Sequence, residues 1–140
     1  MGSRRTSREI AVRALFQIEV GRCNPSEALD QLLDEDRYPP DVLDFARELV
    51  LGVSRHRSRI DAAVDQYARG WTLERMANVD RNVLRLALFE LLYLPDIPPS
   101  VTVDEAVELA KKYSTAESGR FVNGILGNVV RNLEAELASP

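Results

Sequence analysis

The stretch VDRNVLRLALFELLYL, residues 79–94, constrains the fold more than any other. Wound as a helix it is apolar almost all round, and its greasiest part, LRLALFELLYL, is interrupted by Arg85 and Glu90. A helix of that kind needs cover on every side, which predicts a central, buried helix with others packed around it. Glu90 falls angularly among Val79, Val83 and Leu86. A buried carboxylate needs a partner, so an arginine or a hydrogen-bond donor from another helix is expected beside it. The same charges leave the stretch short of the ~18 clean apolar residues of a membrane span. Arg13 and Glu19 interrupt the N-terminal apolar pattern, which does not read as a signal peptide.

The remainder also reads as helix, with no alternating strand pattern. In the first helix, from about Arg4 to Val20, the residues Ile10, Ala11, Ala14, Leu15 and Ile18 share one stripe. Asn24-Pro25 starts the second with a cap and a good first residue, and Glu27 completes a capping box. After Pro39-Pro40, Val42, Phe45, Ala46, Leu49, Val50 and Val53 recur at helical spacing. SRHRSR interrupts that pattern, and Ile60, Ala63, Val64 and Tyr67 resume it until Gly70. PDIPPS reads as a stiff linker, Thr102 to Glu105 as the capping box of the next helix, and the last helix runs from about Ala116 to Leu137. A chain of 140 residues is long enough to bury a core of its own. The expectation is an all-α, single compact domain of roughly six to eight helices in two small bundles. The break at Gly70-Trp71-Thr72 divides them, giving sub-bundles of roughly residues 1–70 and 71–140.

The chemistry of catalysis is missing. The chain has one histidine and one cysteine, so no zinc cluster can form from them, and none of the phosphate-binding glycine loops or nucleophile elbows occurs. No enzyme activity, cofactor or metal is expected. A lone Cys23 leaves no intrachain disulfide, which fits a cytoplasmic protein. Charge is unevenly placed. Residues 1–22 hold five arginines against Glu9 and Glu19, whereas residues 23–52 carry a net charge of −6. A basic end on an acidic body suggests a local electrostatic site.

Two surfaces combine arginine with an aromatic ring. On the last helix, Val122, Ile125, Leu126, Val129, Val130, Leu133 and Leu137 form the core face. Arg120, Gly124, Gly127 and Arg131 form another, and Phe121 stands at the margin beside Asn128 and Asn132. On the first helix the core stripe leaves Arg5, Arg8, Val12 and Phe16 on a separate side. Unpaired bases stack on aromatic rings while arginines hold phosphates, so both surfaces suit single-stranded RNA. The residues alone leave a second reading open. Phe121 could complete the core rim with the glycines allowing tight helix packing, and the first helix could be sandwiched between two neighbours with Val12 and Phe16 buried, giving a protein–protein adaptor without RNA binding.

The segments SREIAVRALFQ, VDRNVLRLALFELLY, IPPSVTVDEAVELAKKY and SGRFVNGIL, in this order and spacing, resemble the NusB family of bacterial transcription antitermination factors. The resemblance implies an all-helical fold of two small bundles. It implies binding to boxA-type RNA together with NusE, a small-subunit ribosomal protein, in a complex that helps RNA polymerase read through terminators, notably in rRNA operons. Some members are homodimers. Carried over by position, the RNA contacts would be Arg4, Arg5, Arg8, Phe16, Arg120 and Phe121, and the NusE surface would lie around Glu74 and Asp80. The N-terminal arginine run is interrupted here by Thr6 and Ser7.

Overall fold

The computed structural model describes residues 3–33 and 37–138, the last four by their backbone alone, so the core position expected for Leu137 lies outside the described side chains. Among the described residues there are seven α-helices, one short 3-10 helix and no strand. None of these helices is long and apolar enough to cross a membrane. The chain packs as two compact units, Met1–Arg57 and Ser58–Pro140.

The first unit contains α1 (Ser3–Gly21), α2 (Pro25–Leu32) and α3 (Pro40–Arg55). The box at the start of α2 forms as its sequence requires. Asn24 Oδ1 accepts from the Glu27 backbone N–H at 2.9 Å, and Asn24 Nδ2 donates to Glu27 Oε1 at 3.0 Å. Such a cap contributes about 1 kcal/mol to helix stability. The whole predicted stripe of α3 is buried, and Ile10 of α1 packs with Val42 and Ala46 of α3. Ser7 Oγ lies in this contact and donates to the Val42 carbonyl at 2.8 Å. A small hydroxyl at this buried position, and not another arginine, lets α1 lie close against α3.

The second unit contains α4 (Arg57–Tyr67), the 3-10 helix Leu73–Arg75, α5 (Asn78–Tyr93), α6 (Pro99–Tyr113) and α7 (Ala116–Ala138). As its composition demands, α5 is central: every residue from Asn82 to Glu90 is buried. The two charges within that buried run, Arg85 and Glu90, are matched within the unit. Arg85 forks onto Asp61 of α4, with Nε 2.8 Å from Oδ1 and Nη2 3.3 Å from Oδ2, and Nη1 donates to Asn82 Oδ1. Glu90 Oε1 accepts from Thr102 Oγ1 of α6 at 3.0 Å.

Two expectations change. The first is Thr102, which is not an N-cap. Helix α6 begins at Pro99, with Pro98 as its flanking residue, because proline at the first helical position loses no hydrogen bond. Thr102 then falls one turn in, where its hydroxyl serves the buried Glu90. The second is the boundary between the units, which falls after Arg57 and not at Gly70. The Arg85–Asp61 pair fastens α4 to α5, so the Gly70 turn lies inside the second unit. Gly70 itself has φ +79, a left-handed conformation that closes the chain after α4 and sets Trp71 on the surface.

Candidate nucleic-acid interface

The N-terminal surface is built on α1. Arg4 and Arg5 are exposed. The Arg4 guanidinium lies 4.1 Å from the centroid of the Phe45 ring of α3, a cation–π contact of about 0.5–1 kcal/mol at an accessible site. Arg8 is 3% exposed, with its guanidinium 5.7 Å from the same ring. Val12 is buried as well, whereas Phe16 is 40% exposed. Thus the face expected to turn outward does so at Arg5 and Phe16 and is covered at Arg8 and Val12. Of the two residues that a first helix sandwiched between neighbours would bury, Val12 is covered and Phe16 is not.

The C-terminal surface begins where α7 starts. Thr115 Oγ1 accepts from the Ser118 N–H at 3.0 Å and so caps the helix. Ser118 Oγ donates to Asp80 Oδ2 at 3.2 Å, which ties the first turn of α7 to the first turn of α5. Asp80 is 8% exposed, and its Oδ1 is buried without a hydrogen-bond partner. Burial pushes the Asp80 carboxyl above its ordinary value, against the opposing effect of the Ser118 hydrogen bond. Next along α7, Arg120 is exposed and Phe121 is half-buried. The Phe121 ring meets Trp71 edge to face, with centroids 5.5 Å apart and an interplanar angle of 72°. Trp71 is 48% exposed, and the Arg75 guanidinium stands 5.9 Å from its ring. Arg81 holds the wall opposite α7. Its Nη1 donates to the carbonyls of Leu73 at 2.8 Å and Met76 at 3.1 Å, fixing the 3-10 helix. Between these elements lies a concavity of about 250 Å³ lined by residues that include Trp71, Arg75, Asp80, Ser118 and Phe121.

The structure therefore brings Asp80 and Phe121 to one cleft, while Glu74 stands exposed on the 3-10 helix outside its lining. Trp71, Arg75 and Ser118 were not singled out by sequence. The available signal was a single tryptophan directly after the turn glycine, a poor place for a core residue. The glycines of α7 divide by role. A Cβ at Gly119 would stand 2.8 Å from Lys111 Cγ, so that glycine admits the Lys111 stem. A Cβ at Gly124 would meet nothing within 4 Å. Beyond it, Arg131 donates to the Asn128 side chain and Asn132 to the Asn128 carbonyl.

Fold and surfaces together define a small all-α protein with an arginine-and-aromatic surface on each of its two units. Residues 5–131 match the sequence profile of the NusB family. The transcription antitermination protein NusB of Symbiobacterium thermophilum is 50% identical over 140 residues, covering 94% of this chain and 92% of that one. Among solved structures, NusB of T. maritima aligns with a TM-score of 0.87 at 43% identity, over 91% of this chain and 90% of the other. The antitermination factors NusB and NusE in complex with dsRNA provide another match, with a TM-score of 0.86 at 29% identity over 94% and 98% of the two chains. The chain belongs to the NusB family.

Proposed function

We infer that this chain is a transcription antitermination factor, without enzymatic activity, that binds boxA-type RNA together with NusE and promotes read-through by RNA polymerase, notably in rRNA operons. Its place is then the cytoplasm, with the nascent transcript. Support comes from relatives that carry the antitermination name over nearly their whole length and from the solved relative that holds NusE and RNA. The observation that carries the reading on this chain is the corner of exposed Trp71 and half-buried Phe121, with Arg75 beside the Trp71 ring and exposed Arg120 next to Phe121 in sequence. Large rings left open beside guanidinium groups favour stacking with bases and pairing with phosphates.

On this reading Phe121 and Phe16 stack bases, and Arg4, Arg5 and Arg120 meet phosphates. Arg8, being buried, supports the Phe45 seat on which Arg4 lies. Exposed Glu74 belongs to the NusE-facing side, whereas Asp80, expected there too, is buried in the cleft wall and is assigned to the cleft instead. The RNA in the solved relative is double-stranded, whereas open rings favour unpaired bases. The test is binding of one boxA-like sequence, single-stranded and as a duplex, with and without NusE, across a salt series. For single-stranded RNA, log K should fall by about 0.7 per phosphate contact for each unit of log salt. Phe121→Ala should weaken binding by about 1–3 kcal/mol with helix content unchanged in circular dichroism. A protein that binds NusE but no RNA would be an adaptor instead.

A further inference from the structure

We propose that the concavity between Trp71, Phe121 and Asp80 receives a single unstacked nucleobase, and that Asp80 reads its hydrogen-bond donors in favour of guanine, an assignment that rests on the RNA-binding reading above. Three features of the cleft converge on this chemistry.

The first is the unmatched carboxylate oxygen. Asp80 Oδ2 has the Ser118 hydroxyl, while Oδ1 is buried with no donor. Leaving a buried acceptor unpaired is unfavourable, and more so when it carries charge. Burial raises this carboxyl above its ordinary value, while its place at the first turn of α5 works the other way, since helix N-termini stabilise anions. An ionised carboxylate only accepts, so its complement is a ligand edge made of N–H groups.

The second feature is the aromatic corner. A ring pair at 72° cannot sandwich a base, but a base stacked on one ring turns its rim toward the other. At about 250 Å³ the concavity lies just below the ~300–1,000 Å³ usual for small-molecule sites, a size suited to one base and not to a stack of them.

The third is charge. Asp80 and Glu117 both line the cleft, against Arg75 alone among its lining residues. Two carboxylates beside one guanidinium disfavour a phosphate inside, so the base enters and the backbone stays outside the cleft. Of the four bases, guanine presents two adjacent N–H donors on its pairing edge, the best match to a carboxylate. Adenine, cytosine and uracil each set an acceptor beside a donor there, and an acceptor facing Asp80 is repelled.

Trp71 is the only tryptophan, so its fluorescence reports on the cleft directly. The probes are uridine nonamers carrying guanosine, inosine, adenosine or uridine at the centre, with affinity read by fluorescence polarisation of the labelled RNA. The central guanosine should bind about tenfold more tightly than uridine, in the range of one good base contact, and should quench Trp71. Inosine, which lacks the 2-amino donor, should lose most of that gain. Asp80→Asn puts an amide donor where Oδ1 stands. It should bind all four oligomers with nearly equal affinity. The guanosine–inosine comparison uses the unaltered protein, so it does not depend on how the variant folds. RNA binding without guanosine preference, or preference that survives in Asp80→Asn, overturns the base pocket and leaves the RNA-binding reading standing. Failure to bind any of these oligomers or boxA-like RNA, even with NusE present, overturns both.

Discussion

The N-terminal and C-terminal surfaces carry the same kinds of residue and use them differently. On α1 the arginines are engaged with the protein itself: Arg4 lies over Phe45, and Arg8 is buried against the same ring. In the second unit Trp71 and Arg75 stay exposed and Phe121 half-buried, around a cleft with an unmatched carboxylate oxygen. An arginine inside a helix contact fixes structure and a nearby arginine in solvent offers charge, although the two look alike in sequence. The comparison teaches that an aromatic-plus-arginine pattern marks a candidate surface, while burial decides which members can face a ligand.

The contrast can be broken by substitution. The largest effect is expected for Arg8→Ala, which removes a long, buried side chain. It should lower unfolding free energy by about 2–3 kcal/mol in urea titration, toward the upper end of single substitutions. If stability is unchanged while RNA affinity falls, Arg8 belongs with the open arginines after all. Gly124→Ala comes next. Its Cβ has open space, so helix propensity alone should raise stability by about 1 kcal/mol. A simultaneous loss of RNA affinity would show that the RNA backbone approaches at this glycine, and unchanged affinity would confine the contact to Arg120 and Phe121. Arg5→Ala should leave the melting temperature within error and reduce the salt slope of single-stranded RNA binding by about 0.7, the contribution of one phosphate. An unchanged slope would remove α1 from the phosphate-binding surface.

The smallest effect concerns pH. Burial raises the Asp80 carboxyl in the folded protein, so between its unfolded and folded values the native state binds more protons than the unfolded state. Stability from this group is fully present below the unfolded value and is lost as pH rises through the folded one. Asp80→Asn should therefore raise the melting temperature at pH 7, with a gain that shrinks as pH falls toward the ordinary aspartate range. A gain that does not change with pH would mean that the carboxyl is not strained by burial.

Much of the fold was legible before any coordinates. The all-round apolar run of α5 had to be central, and the partner demanded by Glu90 is present as Thr102. The Asn24 box and the buried face of α7 at Val122, Ile125, Leu126 and Val129 follow local rules that need only spacing. Less of the candidate site was legible. Phe121 and Arg120 were marked by their place on the wheel, but Trp71, Arg75 and Ser118 come from segments far from α7 or serve through a hydroxyl that any solvated serine could carry. Thr102 was misread because a threonine three residues before a glutamate satisfies the capping pattern whether or not the helix has already begun.

What the chain determined by itself is the set of helices and the face each must bury, because periodicity and capping act within a few residues along one backbone. What tertiary structure decided is which polar groups end up covered and which meet one another: Arg8 under cover, Glu90 against Thr102, and Asp80 joined to Ser118 beneath the corner of Trp71 and Phe121. Those outcomes depend on contacts between residues distant in sequence, where the loss of water around each charge is set by its neighbours in space.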